Sequence, residues 1–428
     1  MSEYDRIRVL GCDHLNLARG KYLIPEAARS GVTHLCIGAY ALGYDREMIP
    51  APGAMMLEGL PDMDAVFDIE EARPGWEGNT GVVIADFHRL GEALPFCGRS
   101  LLKRSIASWR EKDLDPTIGI EFEAFVFQRS ENNAWVPYNT PGAFVYSTGA
   151  TVDPANLVDR IWEQAVACGF PIELINTEYD WPQFEFTLRH RDALAAADDA
   201  FLFRAMAREV VAEEGYLLSF MPKPLSDRGG SGFHVNLSFT DNDKKNAMAE
   251  SSANDGLSPL AKQSIAGLLN HHEGLTALVA PIVNSYRRIR AGSLAGYWAN
   301  WAHDHRGVTV RVPEERGEGT RLEWRLPDCA ANPYIAIACT LEAARLGVEG
   351  DYALPPEETG DCLESADTDR VVPETLGLAL DALAADKTLV EAVGTPLVEH
   401  FIAIKRKEWN DYLGTTTDWE LSSYLDFV

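Results

Sequence analysis

Apolar and charged residues alternate in several segments of this chain, as they do in strands that bury one face. In residues 119–127, Glu121 and Glu123 fall on one face and the apolar residue between them on the other, because side chains two apart in a strand point to the same side. Residues 233–239 and 322–326 repeat the alternation. The pattern predicts half-buried strands whose polar faces share a function.

The polar positions of these and neighbouring segments carry acids and one histidine: Glu121, Glu123, Glu178, Glu185, His234 and Glu323. Removing each carboxylate from water without a partner costs several kcal/mol. Two or three divalent cations would offset this charge, and oxygen-rich ligation with a single imidazole favours Mg²⁺ or Mn²⁺ over zinc. The alternative is that each glutamate is a half-exposed strand residue.

Residues 1–97 are predicted to form a small α+β unit. Its expected elements are strands at 6–10 and 82–87, a helix after Pro25 and a loop over the Pro-, Gly- and Met-rich stretch 43–59. From residue 98 helices and strands alternate, which predicts a second domain over 98–428.

Capping residues and terminal glycines mark the helices of this second domain. The predicted helices run from about 153 to 169, from about 192 to 214 and from about 332 to 347, and residues 371–428 are predicted to be mainly helical.

Composition narrows the classes of function. The 428 residues are 46 % hydrophobic and 24 % charged, as in a soluble protein of about two domains. A net charge of −27 argues against nucleic acid or an anionic membrane as the partner. The seven cysteines have no CxxC spacing and no eighteen-residue apolar run occurs, so we expect a cytoplasmic protein without a membrane span.

Arginines cluster near the acidic segments: Arg287, Arg288, Arg306, Arg311, Arg321 and Arg325. Guanidinium groups bind carboxylates and phosphates with two parallel hydrogen bonds. Together with divalent cations they suit phosphoryl transfer, although the sequence contains no Walker A motif or kinase glycine loop. Plain surface arginines are the alternative.

These segments together resemble the glutamine synthetase superfamily, and most of all its γ-glutamyl-amine ligase branch, the γ-glutamylamide and γ-glutamylpolyamine ligases. The motifs that carry the resemblance are residues 119–123, 178–185, 220–224, 230–234, 284–288 and 321–334. The resemblance implies an α+β fold with a small N-terminal β-grasp-like domain. It also implies a large C-terminal catalytic domain with a curved antiparallel sheet, a half-barrel, flanked by helices.

Roles follow from the resemblance residue by residue. It implies one cation on Glu123, Glu178 and Glu185, and a second on Glu121, His234 and Glu323. It implies that glutamate is bound by Arg288, Arg325 and Gly230. The transferred phosphoryl group would contact Arg306 and Arg311, and ATP would contact Ser238 and Arg321. It further implies a homo-oligomer with active sites between subunits of a hexameric ring, single or stacked as a homododecamer.

Two features of ammonia-using family members are missing. Those members place a glutamate six residues after the arginine of the flap, where it takes a proton from ammonium, whereas here Leu294 stands six residues after Arg288. The Phe-Asp-Gly-Ser-Ser stretch that supplies an ammonium-binding aspartate is also absent, and residues 48–59 offer nothing similar. An apolar residue in the flap fits an amine with a hydrocarbon group. A weakly basic arylamine is already neutral, so it depends least on the missing flap glutamate as a base.

Further candidates for the amine pocket are aromatic or acidic: Tyr146, Trp181, Trp298, Trp301 and Asp62. Core packing is the alternative for each tryptophan. Tyr352 resembles a stretch that is adenylylated in some bacterial members, and a tyrosine in a turn is the other interpretation.

The sequence therefore predicts an ATP-dependent carbon–nitrogen ligase of nitrogen metabolism or amine catabolism. It would join the γ-carboxylate of glutamate to an alkyl- or arylamine through a γ-glutamyl phosphate, with Glu178 as a candidate base. The alternatives are an ammonia-assimilating glutamine synthetase with some other base, and a catalytically silent structural relative.

Overall fold

The computed structural model describes residues 4–140 and 142–428. The strands of its N-terminal part are β1 Arg6–Cys12, β2 Ala18–Leu23, β3 Val32–Cys36, β4 Asp62–Val66, β5 Arg73–Pro74, β6 Thr80–Ile84, β7 Asp86–Arg89 and β8 Glu92–Ala93. They form one sheet in the order β2-β1-β6-β5 and another in the order β3-β4-β7-β8.

A larger sheet follows. Its strands are β9 Leu114–Arg129, β10 Trp135–Pro137, β11 Ile172–Thr177, β12 Gln183–Asp192, β13 Leu217–Ser219, β14 Phe233–Asp241, β15 Trp301–His303, β16 Val310–Val312 and β17 Leu322–Trp324. The order is β11-β12-β9-β14-β17-β16-β15, with β10 and β13 also paired to β9. Its pairs are antiparallel except β15 with β16, and the sheet is open.

Helices surround this sheet. They are α1 Pro25–Ala28, α2 Gly98–Arg110, α3 Leu157–Ala167, α4 Ala193–Glu213, α5 Pro259–Asn270, α6 His272–Val279, α7 Ser285–Arg288, α8 Pro333–Glu349, α9 Leu376–Ala385, α10 Lys387–Val393, α11 Thr395–Leu413 and α12 Asp418–Tyr424. Short 3₁₀ turns occupy Ile37–Ala41, Ile69–Glu71 and Gly317–Gly319. The predicted α+β class, with a small β domain before a large catalytic domain, is confirmed. The division at residue 97 stays a prediction, and α2 begins at Gly98.

The core explains why the polar faces of the central strands point away from it. Ile120 and Phe122 of β9 are buried, and the Phe122 ring lies 5.7 Å from that of Phe203 on α4. At the other end of the sheet the Phe239 ring of β14 lies 4.1 Å from Trp109 of α2. The apolar faces are therefore covered by helices, which leaves the opposite faces to line a cavity.

Two predicted elements were wrong in their bounds. The single strand at 82–87 is two strands in different sheets, because the chain leaves the first sheet at Ala85, whose N–H donates to Leu10 at 2.8 Å. The helix predicted after Pro25 is present as α1 and is one turn long. The helix expected from residue 153 begins at Leu157, and the Asp153 carboxylate accepts from the backbone N–H of Val158 at 2.7 Å.

Other helix predictions were confirmed. Asp192 caps α4 by accepting from the N–H groups of Leu194 and Ala195, and Asn332 caps α8 in the same way. The predicted helical content of 371–428 is also present, as α9 to α12. The helix α8 continues past Gly347, which lies inside it.

Gly347 is needed for the packing of α8 on α5. A Cβ at Gly347 would lie 2.0 Å from the carbonyl oxygen of Gln263, and a Cβ at Gly267 would lie 2.0 Å from that of Ala343. The two helix backbones therefore touch at a pair of glycines.

Within the described residues, none of the helices is both long enough and apolar enough to cross a membrane.

We expect Gly267→Ala to destabilise the protein, since the helices must separate and overpacking costs about 1–3 kcal/mol. Differential scanning fluorimetry should show a lower melting temperature. Gly414→Ala is the matched control, because its Cβ would have no neighbour nearer than 3.6 Å. Equal melting of both variants would contradict the close contact.

Candidate active site

Strand pairing brings the predicted ligands into rows across the large sheet. Glu123 of β9 is paired with Glu185 of β12, and Glu121 of β9 is paired with His234 of β14. In the next row, Glu323 of β17 is paired with Asn236 and with Arg311. Antiparallel partners have Cβ atoms about 4.5–5.5 Å apart, so the register alone makes these side chains neighbours.

Two groups in these rows have the geometry to hold a cation. Glu121, His234 and Glu323 form one, and Glu123, Glu185 and His234 form the other, with the ligand atoms of each group within 4.8 Å of one another. Such groups of carboxylates with one imidazole fit a hard divalent ion such as Mg²⁺ or Mn²⁺.

His234 joins the two groups. Its Nδ1 lies 3.2 Å from Glu121 and 3.5 Å from Glu323, and its Nε2 lies 3.9 Å from Glu123. The second group differs from the implied set, because it contains His234 in place of Glu178. Glu178 follows β11 in a turn instead of lying on a strand, and it lines the same cavity.

Groups that the sequence analysis did not assign orient the carboxylates. The Asn236 amide donates to Glu121 at 2.9 Å. Glu123 accepts from the N–H of Gly232 at 2.8 Å and from the Gln183 amide at 3.3 Å. Alternation could have indicated Gln183, which shares a strand face with Glu185, two residues on.

Glu323 is held ionised by its neighbours. Burial opposes its charge, but Arg325, His234 and Arg311 lower the pKa of Glu323 to about 2. Arg311 Nη1 donates to it at 2.7 Å, and Arg325 donates to its other oxygen. This carboxylate therefore links the predicted metal group to two arginines.

The glutamates on the other side of the cavity repel one another. Burial, and then the charges of Glu121, Glu178 and Glu123, raise the pKa of Glu185 to about 9. Burial and the charge of Glu123 also raise the pKa of Glu178. A divalent cation between these groups would offset both effects.

The predicted substrate arginines occupy fixed positions. Arg288 is 5 % exposed and donates to the carbonyl oxygens of Leu326 at 2.8 Å and Arg325 at 3.1 Å. Arg325 also donates to the carbonyl oxygen of Leu294 at 3.3 Å. This hydrogen bond connects the flap, residues 285–297, to the arginine side of the cavity.

Arg311 and Arg321 have further partners near the sheet. Arg311 donates from Nε to Asp304 at 3.1 Å, a contact that no pattern in the sequence predicts. Arg321 donates to Asn236 at 3.3 Å and to Glu315 at 3.1 Å.

One cavity of about 1090 Å³ collects most of the candidate residues. Those in its wall are Glu121, Glu123, Glu178, Glu185, His234, Gly230, Ser238, Arg288, Leu294, Arg306, Arg311, Arg321, Arg325 and Tyr146. Glu323 is 1 % exposed and lies beneath the wall. The volume is sufficient for several small substrates together.

Several pocket candidates lie elsewhere. Trp298 is not in the cavity wall, and its ring packs 5.0 Å from Tyr297 while its N–H donates to Cys362 at 3.3 Å. Trp301 is buried and donates to Pro355 at 2.9 Å. Both tryptophans match the packing interpretation.

The remaining candidates are scattered. Trp181 is 41 % exposed and lies under the guanidinium of Arg228, 4.0 Å from its ring centroid. Asp62 begins β4 of the N-terminal part. Tyr352 follows α8 and its ring lies 6.0 Å from His271.

Comparison with known proteins gives a consistent result. The family described as "Glutamine synthetase, catalytic domain" matches residues 95–424. A glutamine synthetase of Clostridium saccharobutylicum is 33 % identical over 375 residues, which cover 86 % of this chain and 84 % of that protein. One of Thermus thermophilus is 32 % identical over 391 residues, covering 89 % and 85 %.

Solved structures extend the match to nearly the whole chain. GmaS without ligand and a GmaS complex with ADP each align with a TM-score of 0.86 and 29 % identity, over 99 % of this chain and 97 % of theirs. A structure titled as a novel glutamine synthase homolog aligns with a TM-score of 0.84 at 24 % identity, which supports the fold alone.

We expect Glu123→Gln to weaken Mn²⁺ binding at least about tenfold, since it removes a charged ligand from a predicted metal group. Electron paramagnetic resonance of free Mn²⁺ measures this without substrates. Glu173→Gln is the matched control, because Glu173 lines the same cavity outside both metal groups. Unchanged Mn²⁺ affinity in Glu123→Gln would contradict the assignment.

Proposed function

The chain belongs to the glutamine synthetase family and is an ATP-dependent ligase, and we propose that it joins the γ-carboxylate of glutamate to a primary alkyl- or arylamine. The observation that carries the proposal is Leu294. It lines the cavity and is 50 % exposed, where ammonia-using members hold the glutamate that takes a proton from ammonium. A leucine cannot accept that proton, but it can contact a hydrocarbon group.

The structural neighbours support an amine as acceptor. GmaS, a γ-glutamylmethylamide synthetase, aligns with 99 % of this chain. The curated relatives above carry the name glutamine synthetase, and they favour the second candidate, ammonia assimilation.

Glutamate would be bound by Arg288, Arg325 and Gly230. The two guanidinium groups are almost fully buried, at 5 % and 6 % exposure, where a carboxylate partner is worth most because the local dielectric is low. Ser238 and Arg321 would hold ATP at the other end of the cavity.

In the first step a γ-carboxylate oxygen attacks the terminal phosphorus of ATP, and ADP leaves. Arg311, held in place by Asp304 and Glu323, and Arg306 would neutralise the transferred phosphoryl oxygens. The family uses divalent metals, and cations held by Glu121, Glu123, Glu185, His234 and Glu323 would supply further neutralisation of phosphate charge.

In the second step the amine nitrogen attacks the γ-carbonyl carbon and phosphate leaves. An alkylammonium must first lose a proton, and Glu178, a carboxylate that lines the same cavity, is the proposed acceptor. Closure of the flap at 285–297 would keep water from the acyl phosphate.

We further propose a ring-shaped homo-oligomer, a hexamer or a stacked double ring, with active sites between subunits, in the cytoplasm. Fully exposed apolar side chains in the N-terminal part, such as Leu57 at 99 % exposure, are consistent with a covered surface in an assembly.

The amine proposal is tested by the rate of ADP release with glutamate, ATP and a panel of acceptors. Ammonia, methylamine, isopropylamine, ethanolamine, putrescine and aniline cover size and basicity. We expect kcat/KM for at least one substituted amine to exceed that for ammonia. A tenfold advantage for ammonia over every other acceptor would reject the proposal.

We also expect Leu294→Glu to shift the preference toward ammonia, because it restores a carboxylate in the flap. The readout is the ratio of kcat/KM for ammonia to that for the best amine. Leu378→Glu is the matched control, since Leu378 is 52 % exposed on α9, outside the cavity wall. An identical ratio in both variants would show that Leu294 does not select the acceptor.

A further inference from the structure

Asp180 is a carboxylate of the cavity wall that belongs to neither metal group. Asp180 lies in the turn between β11 and β12, where Glu178 N donates to Gln183 at 3.0 Å and Gln183 N donates to Asp180 at 3.1 Å. These two backbone bonds hold Asp180 close to Glu178, the proposed base, and both side chains line the cavity.

The Asp180 carboxylate has one occupied oxygen and one free oxygen. Its Oδ2 accepts from the backbone N–H of Gly229, and a Cβ at position 229 would lie 3.2 Å from this oxygen. No hydrogen bond to Oδ1 is found among the described residues. The side chain is only partly buried, so the free oxygen is open to a ligand in the cavity.

Among the described residues no cationic side chain forms a salt bridge with this carboxylate, although the charge of Lys223 acts on it from a greater distance. Lys223 donates to the carbonyl oxygen of Arg228, while the Arg228 guanidinium stacks on Trp181 and lies 3.7 Å from Asp227. Within residues 4–140 and 142–428, Asp180 has no salt bridge shorter than 4.0 Å. Its negative charge is therefore only partly balanced, and its second oxygen stays available to a cationic ligand in the cavity.

Exposed aromatic rings lie beside Asp180. Tyr179 precedes it and is 80 % exposed, and Tyr146 is 68 % exposed. The N–H of Tyr146 donates to Thr177 at 3.1 Å, which holds this tyrosine beside the same turn. Both tyrosines line the cavity, and aromatic faces attract organic cations within about 6 Å.

We infer that Asp180 binds the ammonium group of the acceptor, and that the acceptor class is a primary alkylammonium with a hydrocarbon group, in preference to a neutral arylamine. The inference rests on the proposed function and narrows it. Alkylammonium groups titrate near the lysine value of about 10.4 and enter the site charged. A carboxylate gains a charge-assisted hydrogen bond from such a group and little from an uncharged amine.

The position of Asp180 indicates that it binds the acceptor and not glutamate. Arg288 and Arg325, which would hold glutamate, are almost fully buried, whereas Asp180 is partly exposed beside open aromatic rings. An acceptor that reaches the cavity from solvent would therefore meet Asp180 before it meets the two buried arginines.

Two pairs of acceptors of similar size distinguish the effect of the acceptor's charge from that of its shape. They are cyclohexylamine with aniline, and methylamine with hydroxylamine. In each pair only the first amine is fully protonated near neutral pH. The variant is Asp180→Asn, whose amide oxygen still accepts from Gly229. We expect its KM to rise about tenfold or more for the charged member of each pair. The KM values for aniline, hydroxylamine, glutamate and ATP should stay unchanged.

Retained turnover of hydroxylamine shows that the variant is folded, and Glu173→Gln, a second acid of the cavity wall, should leave all KM values unchanged. Equal changes for charged and neutral acceptors, or a raised KM for glutamate, would overturn the assignment alone. A wild-type enzyme that uses ammonia and no substituted amine would overturn both the assignment and the proposed function.

Discussion

The pairing register of β9 with its two neighbours is the constraint on which the active site depends. It sets Glu123 beside Glu185 and Glu121 beside His234, and the buried apolar faces of the same strands prevent any shift. A slip of one residue would turn the carboxylates into the core and the phenylalanines into the cavity. The same hydrogen bonds that hold the sheet together therefore also bring the negatively charged side chains close to one another.

Charge balance in the cavity follows from that constraint. Arg311 and Arg325 share the Glu323 carboxylate. Among the described residues no arginine or lysine forms a salt bridge with Glu178 or Glu185, and burial and neighbouring carboxylates raise their pKa values. The arginine side of the cavity suits anionic oxygens of glutamate and phosphate. The glutamate side suits cations, whether metal ions or a protonated amine.

Alternation in the sequence was sufficient to predict which strand faces are polar, because the face of a side chain depends only on neighbours two residues away. It was not sufficient for contacts across the sheet or between loops. Asp304 reaches Arg311 from the end of β15, and no local pattern places it there. Trp298 was assigned to the pocket from closeness in sequence, but it packs against Tyr297 and Cys362, since neighbouring residues of a loop point in different directions.

The predicted bounds of some strands and helices were wrong for a related reason. Residues 82–87 have the composition of one strand, and the change of sheet at Ala85 depends on the partner strands, which lie far away in sequence. Helix α8 passes through Gly347 because α5 packs against it there. In both places a tertiary contact overrides a local signal.

The candidate site is divided between strands and loops. Both predicted metal groups and Arg311 lie on paired strands, where a substitution disturbs the register or leaves a buried charge unpaired. Asp180, Tyr146 and Leu294 lie in turns and in the flap, where side chains project into the cavity without supporting the core. These three positions combine a negative charge, an aromatic face and an apolar surface. The charged group of an alkylammonium ion can contact the first two, and its hydrocarbon group can contact the third. Under the proposed function, loop residues would select the amine, while most of the groups that activate glutamate would lie on the sheet.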